Sequence, residues 1–240
     1  MDEKWIGGIQ SEIADDIFEK KMKSLHKAIE KNFNIKPTSH RAGRWAIDKR
    51  TLMWLEKNEY LVDTSICPYQ SWIDTKGAND YIKTDTFCVP NTPYFPDYKD
   101  ITKKAQKKEN TVNIVEVPVT GIKGDIFTKI KLRGINMLRL ILNELGYSGI
   151  RNMSVRPSYK EPLKVFEKMT HEIFQSDIPL INFMFHSSEL TLGTSPYSIN
   201  QNRLDLVKKK IIFALKTAKE YEVKGIALSK TAAYFNSSNS

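Results

Sequence analysis

Apolar positions along this chain switch repeatedly between a helical and a strand period. Ile13, Ile17, Phe18, Leu25 and Ile29 recur at helical spacing and predict a first helix over 11–32, with Ser11 as its N-cap. Pro37 ends that segment, and a strand is expected to lead into His40 and Arg41. A second helix is expected over 48–57, then a short strand over 60–63. Val115, Val117 and Val119 alternate with other residues, which predicts a strand over 112–119. Beyond it the pattern reads as a helix over 134–145, a strand over 152–156 and a helix over 162–175. The apolar run Ile178, Leu180, Ile181, Phe183, Met184 and Phe185 predicts a buried strand ending at His186. In the last helix, 203–222, the residues Leu204, Val207, Ile211, Leu215 and Ala218 form the expected core face, and an apolar segment over 223–228 follows. Helices and strands in alternation, without an internal repeat, predict an α/β fold with a largely parallel sheet.

The chain has 240 residues, 40% hydrophobic and 27% charged, which fits one globular domain over 1–230 followed by a polar, disordered tail over 231–240. No apolar run reaches the ~20 residues that span a bilayer. The opening Met1, Asp2, Glu3, Lys4 and Trp5 lack the basic-then-apolar pattern of a signal peptide, so a cytoplasmic location is expected. Cys67 and Cys88 make neither a disulfide framework nor a metal-ligand spacing. The net charge of +9 is scattered, chiefly over 99–108 and at Lys208, Lys209 and Lys210, which are read as mostly the solvated side of the last helix. No nucleic-acid motif accompanies it, and nucleic acid is not an expected partner.

Polar clusters at the carboxyl ends of strands are the candidates for chemistry, because ligands of α/β folds bind there. His186, followed by Ser187, Ser188 and Glu189, is the leading one, since imidazole can donate a proton or bind a metal near neutral pH. Arg41 and Arg44 flank Ala42 and Gly43 and can clamp an oxygen or orient a carboxylate; a structural ion pair is the competing role. Asp63 closes its strand and could fix a catalytic partner or cap the following turn. Trp45 and Trp72 offer flat faces to a sugar ring or to the core, and Tyr69 and Tyr94 belong to a long aromatic loop over 65–108. Arg156 ends another strand, and Glu116 is either an inward carboxylate or an exposed edge residue. His26 and His171 fall on helix surfaces, and His40 should point away from Arg41.

Taken together, these segments resemble the polysaccharide deacetylase family, whose shared module is the NodB homology domain. Arg41-Ala42-Gly43-Arg44-Trp45 is similar to that family's arginine-led third motif. Asp63-Thr64-Ser65 with Trp72 is similar to the fourth, and Phe185-His186-Ser187-Ser188-Glu189-Leu190 to the fifth. Gly193, Pro196 and Tyr197 fit the subgroup found with surface-polysaccharide genes. The resemblance runs from about 11 to 228. It implies a distorted (β/α)7 barrel and metal-assisted hydrolysis of an N-acetyl group on a sugar, with an N-acetylated carbohydrate as the partner. By that resemblance His186 would be the catalytic acid, Arg41 would orient the basic aspartate, and Asp63 would hold Arg41 or the histidine. Arg44, Trp45, Tyr69, Trp72, Arg156, Ser187 and Glu189 would contact substrate.

The family's aspartate pair and histidine pair, which supply base and metal ligands, have no counterpart ahead of the first helix. Asp15 and Asp16 lie inside an amphipathic helix and cannot replace them. The barrel is therefore expected to lack its first βα units, and the metal ligands are unknown. A divalent metal, zinc foremost, is expected only where the missing motifs are supplied. Open strand edges imply pairing with a missing N-terminal segment or with a second copy. A degenerate barrel that binds glycan without chemistry is the alternative.

Overall fold

Three two-residue strands in parallel register organise the first half of the chain: β1 (Ser39–His40), β2 (Val62–Asp63) and β3 (Val115–Glu116). In the computed structural model, residues 10–70, 86, 88–122 and 153–238 are described. They make a mixed α/β structure that divides into two compact units, Met1–Pro118 with Ile226–Ser240, and Val119–Gly225. The helix expected over 134–145 and the residue Trp72 lie outside the described residues.

In the first unit, α1 (Asp15–Phe33) starts three residues later than the predicted Ser11 cap would place it. Its N-cap is Ala14, without a side-chain cap, and it ends at Asn34 in the left-handed conformation (φ 51°, ψ 38°). Phe18 and Met22 face the core, whereas Leu25 is 55% exposed. The second helix, α2 (Lys49–Lys57), begins where expected because Asp48 caps it: its Oδ1 accepts from Thr51 N at 2.7 Å and from Thr51 Oγ1 at 2.6 Å. Asp48→Ala is expected to cost about 1 kcal/mol of stability, measurable as a lower denaturant midpoint. Thr51, Leu52, Trp54 and Leu55 are its buried face.

The strands register Ser39 with Val62 and His40 with Asp63, then Val62 with Val115 and Asp63 with Glu116. Val62, Val115 and Val117 are almost fully enclosed, as expected of strands covered on both faces. The core around them gathers Ile47, Leu52, Leu55, Ile66, Tyr94, Val112 and Ile114. The aromatic loop over 65–108 is tied down: Tyr94 exchanges backbone hydrogen bonds with Glu116, and Thr86 Oγ1 donates to Cys67 O at 2.8 Å.

The second unit holds an antiparallel pair, β4 (Gly121–Ile122) with β5 (Met153–Ser154). The expected strand into His186 is irregular backbone instead, joined to its neighbours by isolated bonds such as Met184 N to Val155 O at 3.3 Å. Helices α3 (Leu163–Phe174) and α4 (Gln201–Glu220) pack on each other around Phe166, Met169, Ile173 and Ala214.

The buried face of α4 differs from the sequence reading. Leu204, Val207, Lys210, Ala214 and Thr217 are enclosed, while Leu215 is 64% exposed. Lys210 can be buried because Nζ donates to Ser158 O at 2.5 Å and Glu161 O at 2.6 Å, and it lies 5.4 Å from the Phe166 ring centroid. The segment expected as a disordered tail includes a helix, α5 (Thr231–Ser238), and Phe235 packs against Phe95 with ring centroids 5.6 Å apart.

Candidate functional site

Side chains at registered positions of neighbouring parallel strands point to the same face, so the pairing that joins β1, β2 and β3 lines up His40, Asp63 and Glu116 in one row. Asp63 is fully enclosed. Its Oδ1 meets His40 Nδ1 at 2.6 Å and accepts from Ser65 Oγ at 2.9 Å, while Oδ2 accepts from Ser65 N at 2.9 Å. Ser65 Oγ in turn accepts from Ala42 N at 2.8 Å, which pins the segment after β1 to the segment after β2. Glu116 is also fully enclosed and its Oε1 accepts from Ile66 N at 3.0 Å. Its Oε2 is buried without a hydrogen bond of ordinary geometry, and the charge it feels most strongly is that of Asp63.

Two carboxyls this close and this dry do not both ionise. Burial raises Asp63, but the hydrogen bond and charge of His40, with hydrogen bonds from Glu116 and Ser65, outweigh it and hold Asp63 below the ordinary carboxylate value. Burial, then the charge and hydrogen bond of Asp63, push Glu116 well above its ordinary value. The Ile66 N–H and Arg41 offset only part of that. Asp63 is the anion of the pair and Glu116 holds its proton. An ionised Asp63 only accepts, so His40 carries its proton on Nδ1 and donates it. The imidazole is thereby fixed in one tautomer and orientation, the arrangement by which a carboxylate prepares a histidine for proton transfer. Tyr94, buried beside them, is raised well above its ordinary value by burial first and further by the negative charge of Asp63, and its hydroxyl donates to Ile101 O at 3.0 Å.

Arg41 reaches over the same strand ends. Its Nε donates to Thr64 O at 3.1 Å and a terminal nitrogen to Thr64 Oγ1 at 3.2 Å, and it lies 5.6 Å from the Trp45 ring centroid. Burial lowers the guanidinium from its ordinary value, opposed chiefly by the charge of Asp63. The structure thus brings together Arg41, Asp63, Glu116 and Trp45 in the first unit. It gives Asp63 to His40 and Ser65, and gives Arg41 hydrogen bonds to Thr64. Arg44 and Trp45 follow on a tight turn with both residues at positive φ (56° and 61°), and Tyr69 is half-buried, also at positive φ (62°). His40 is the residue that the sequence reading placed outside the site. Its signal was its position one residue before Arg41 at a strand end, and the alternation rule alone turned it away.

The second unit holds its own cluster. Glu189 is fully enclosed, and its Oε1 accepts from Arg156 at 2.7 Å and from His186 N at 3.3 Å. Arg156 lies 4.7 Å from the Tyr197 ring centroid. Glu189 Oε2 and Arg156 Nε are buried without hydrogen bonds among the described residues. His186 and Ser187 are exposed at the start of a 3-10 turn (Ser187–Leu190), which the Glu189 carboxylate caps.

Among the described residues, no group of three His, Cys, Asp or Glu side chains is placed to hold a metal ion. Both Asp63 oxygens are already engaged by His40 and Ser65. The described residues therefore do not fit the divalent metal that the family resemblance implies. No helix among them is long and apolar enough to cross a membrane. No family model, curated protein or solved structure matches the chain.

Proposed function

We propose that this chain is a carbohydrate deacetylase-like module that engages an N-acetylated sugar at the carboxyl ends of β1, β2 and β3. The observation that carries this reading is the convergence of Arg41, Asp63 and Glu116 at the ends of adjacent parallel strands, where α/β folds hold their ligands. The motif resemblance supplies the substrate class and the barrel architecture. In this reading the Arg41 guanidinium hydrogen-bonds the acetyl carbonyl, and Trp45 offers its face to the ring. Asp63 acts as a positioning residue by holding His40, and in the second unit His186 is the group to which the motif resemblance gives the role of acid. Arg156 and Glu189 shape the turn that presents His186.

Glycan binding without hydrolysis is the second reading. It is favoured by the engagement of both Asp63 oxygens within the protein, which leaves that carboxylate no role as a base toward water.

Tryptophan emission titrated with N-acetylated oligosaccharides and with their de-N-acetylated counterparts tests the shared premise. Quenching by the acetylated chains at concentrations at least tenfold lower is expected, and Arg41→Ala should abolish that preference. Equal emission with both ligand sets would overturn it. Acetate release, measured with and without added zinc, then separates the two readings.

A further inference from the structure

Helix α1 and the turn at Gly43 and Arg44 enclose an open groove of about 320 Å3, near the lower end of small-ligand sites. Its walls are apolar through Ile13 ahead of α1 and Phe18, Met22 and Leu25 along one side of it, with Gln10 at one end. Two cations, Lys21 and Arg44, line the same space. Neither has an ion-pair partner among the described residues. Three acids in the first two turns of α1 are engaged elsewhere: Asp16 by Lys20 at 3.5 Å, Glu19 by Lys23 at 2.8 Å and Asp15 by Arg50 at 2.5 Å. Among the described lining residues none is acidic.

The backbone that brings Arg44 here is held in an unfavourable shape. Arg44 (φ 56°, ψ 23°) and the following Trp45 (φ 61°) are consecutive non-glycine residues in the left-handed region. Such strain persists where the surroundings over-determine it, and ligand sites are where it concentrates. A Cβ on Gly43 would meet nothing within 4 Å, so the groove is open beside that turn.

The geometry points to a binding site for a single-chain anionic amphiphile, with its alkyl chain along Phe18, Met22 and Leu25 and its phosphate or carboxylate head between Lys21 and Arg44. Charge complementarity selects the head group, because the described lining holds two cations without an ion-pair partner and no acid. Chemistry selects the tail. A sugar would leave its hydroxyls against aliphatic walls, whereas an alkyl chain buries apolar surface there. Arg41, His40, Asp63 and Glu116 are not among the lining residues, and Arg44 is the one residue shared with the substrate contacts of the deacetylase-like reading, so the test variants are placed at Leu25 and Lys21.

Calorimetric titration of the full chain with decyl phosphate, kept below its critical micelle concentration, tests it. Saturable binding is expected, with inorganic phosphate and decyl maltoside each at least tenfold weaker. Leu25→Glu, at an exposed position, should weaken decyl phosphate at least tenfold, and Lys21→Glu likewise. Both variants should retain the far-ultraviolet circular dichroism and the oligosaccharide response of the parent chain. The proposal is overturned if decyl phosphate binds no better than inorganic phosphate, or if both variants bind it as the parent does. Retention on anionic vesicles without binding of the monomeric amphiphile would also overturn it.

Discussion

Asp63→Ala is expected to be the most damaging single substitution in the first unit, at about 3–5 kcal/mol of unfolding free energy. The loss is larger than that of an ordinary hydrogen bond because one carboxylate serves several enclosed groups. Removing it leaves the His40 imidazole without its acceptor at 2.6 Å and frees both the N–H and the hydroxyl of Ser65. It also takes away the anion beside the Glu116 acid. Each stranded polar group adds about 1–3 kcal/mol of desolvation cost, partly relieved if water enters. Denaturant unfolding of the full chain reads the effect directly. A midpoint within experimental scatter of the parent would show that the row does not hold the strand ends together. Asp63→Asn separates shape from charge: it keeps the volume but places an amide nitrogen against donors, and it should recover less than half of the loss.

The second large effect is a reversal of pH dependence in Glu116→Gln. Glu116 titrates well above its ordinary 4.5 in the fold, so the native state keeps a proton that the unfolded chain has released. The native state then binds more protons, and stability falls as pH rises from about 4.5 toward the raised value, by up to about 1.4 kcal/mol per pH unit. Asp63 works in the opposite sense. Its value is lowered, so its contribution is present above the ordinary 3.8 and is lost as pH falls through the folded value. The groups that bear on Glu116 are Asp63 on β2, Arg41 after β1, and the Ile66 N–H. Glutamine mimics the neutral acid, with an oxygen for Ile66 N–H and an amide that can donate to Asp63. The variant should match the parent near pH 4 and exceed it increasingly toward pH 8. Unfolding curves at several pH values decide the matter, and a constant difference between variant and parent from pH 4 to pH 8 would show that Glu116 is ionised in the fold.

Local chemistry made much of the chain legible in advance. The helix expected over 48–57 matches α2, where the Asp48 carboxylate satisfies free N–H groups within three residues. The apolar spacing over 162–175 located α3, since its buried Val165, Phe166, Met169 and Ile173 follow a single helical stripe. Asp63 and Arg41 were identified because polar residues that end apolar runs are conspicuous without any tertiary information.

The misreadings share one physical source. Along α4, Leu215 and Lys210 lie on adjacent stripes, and hydropathy assigns the leucine inward and the lysine outward. The structure reverses both because Ser158 and Glu161, far away in sequence, present carbonyls that satisfy a buried ammonium. Leu25 likewise continues the apolar stripe of α1 yet lies at the groove, half-exposed.

The sequence by itself determined where α1 to α4 run, where strand-ending polar residues stand, and that the fold mixes α and β. Those are consequences of periodicity and capping over a few residues. Only the tertiary structure decided that His40, Asp63 and Glu116 share one row, that a proton stays on Glu116, and that Lys21 and Arg44 face the same groove. Register between strands, and the dryness that separates two carboxyl groups into acid and anion, depend on partners brought together by packing, which no local pattern encodes.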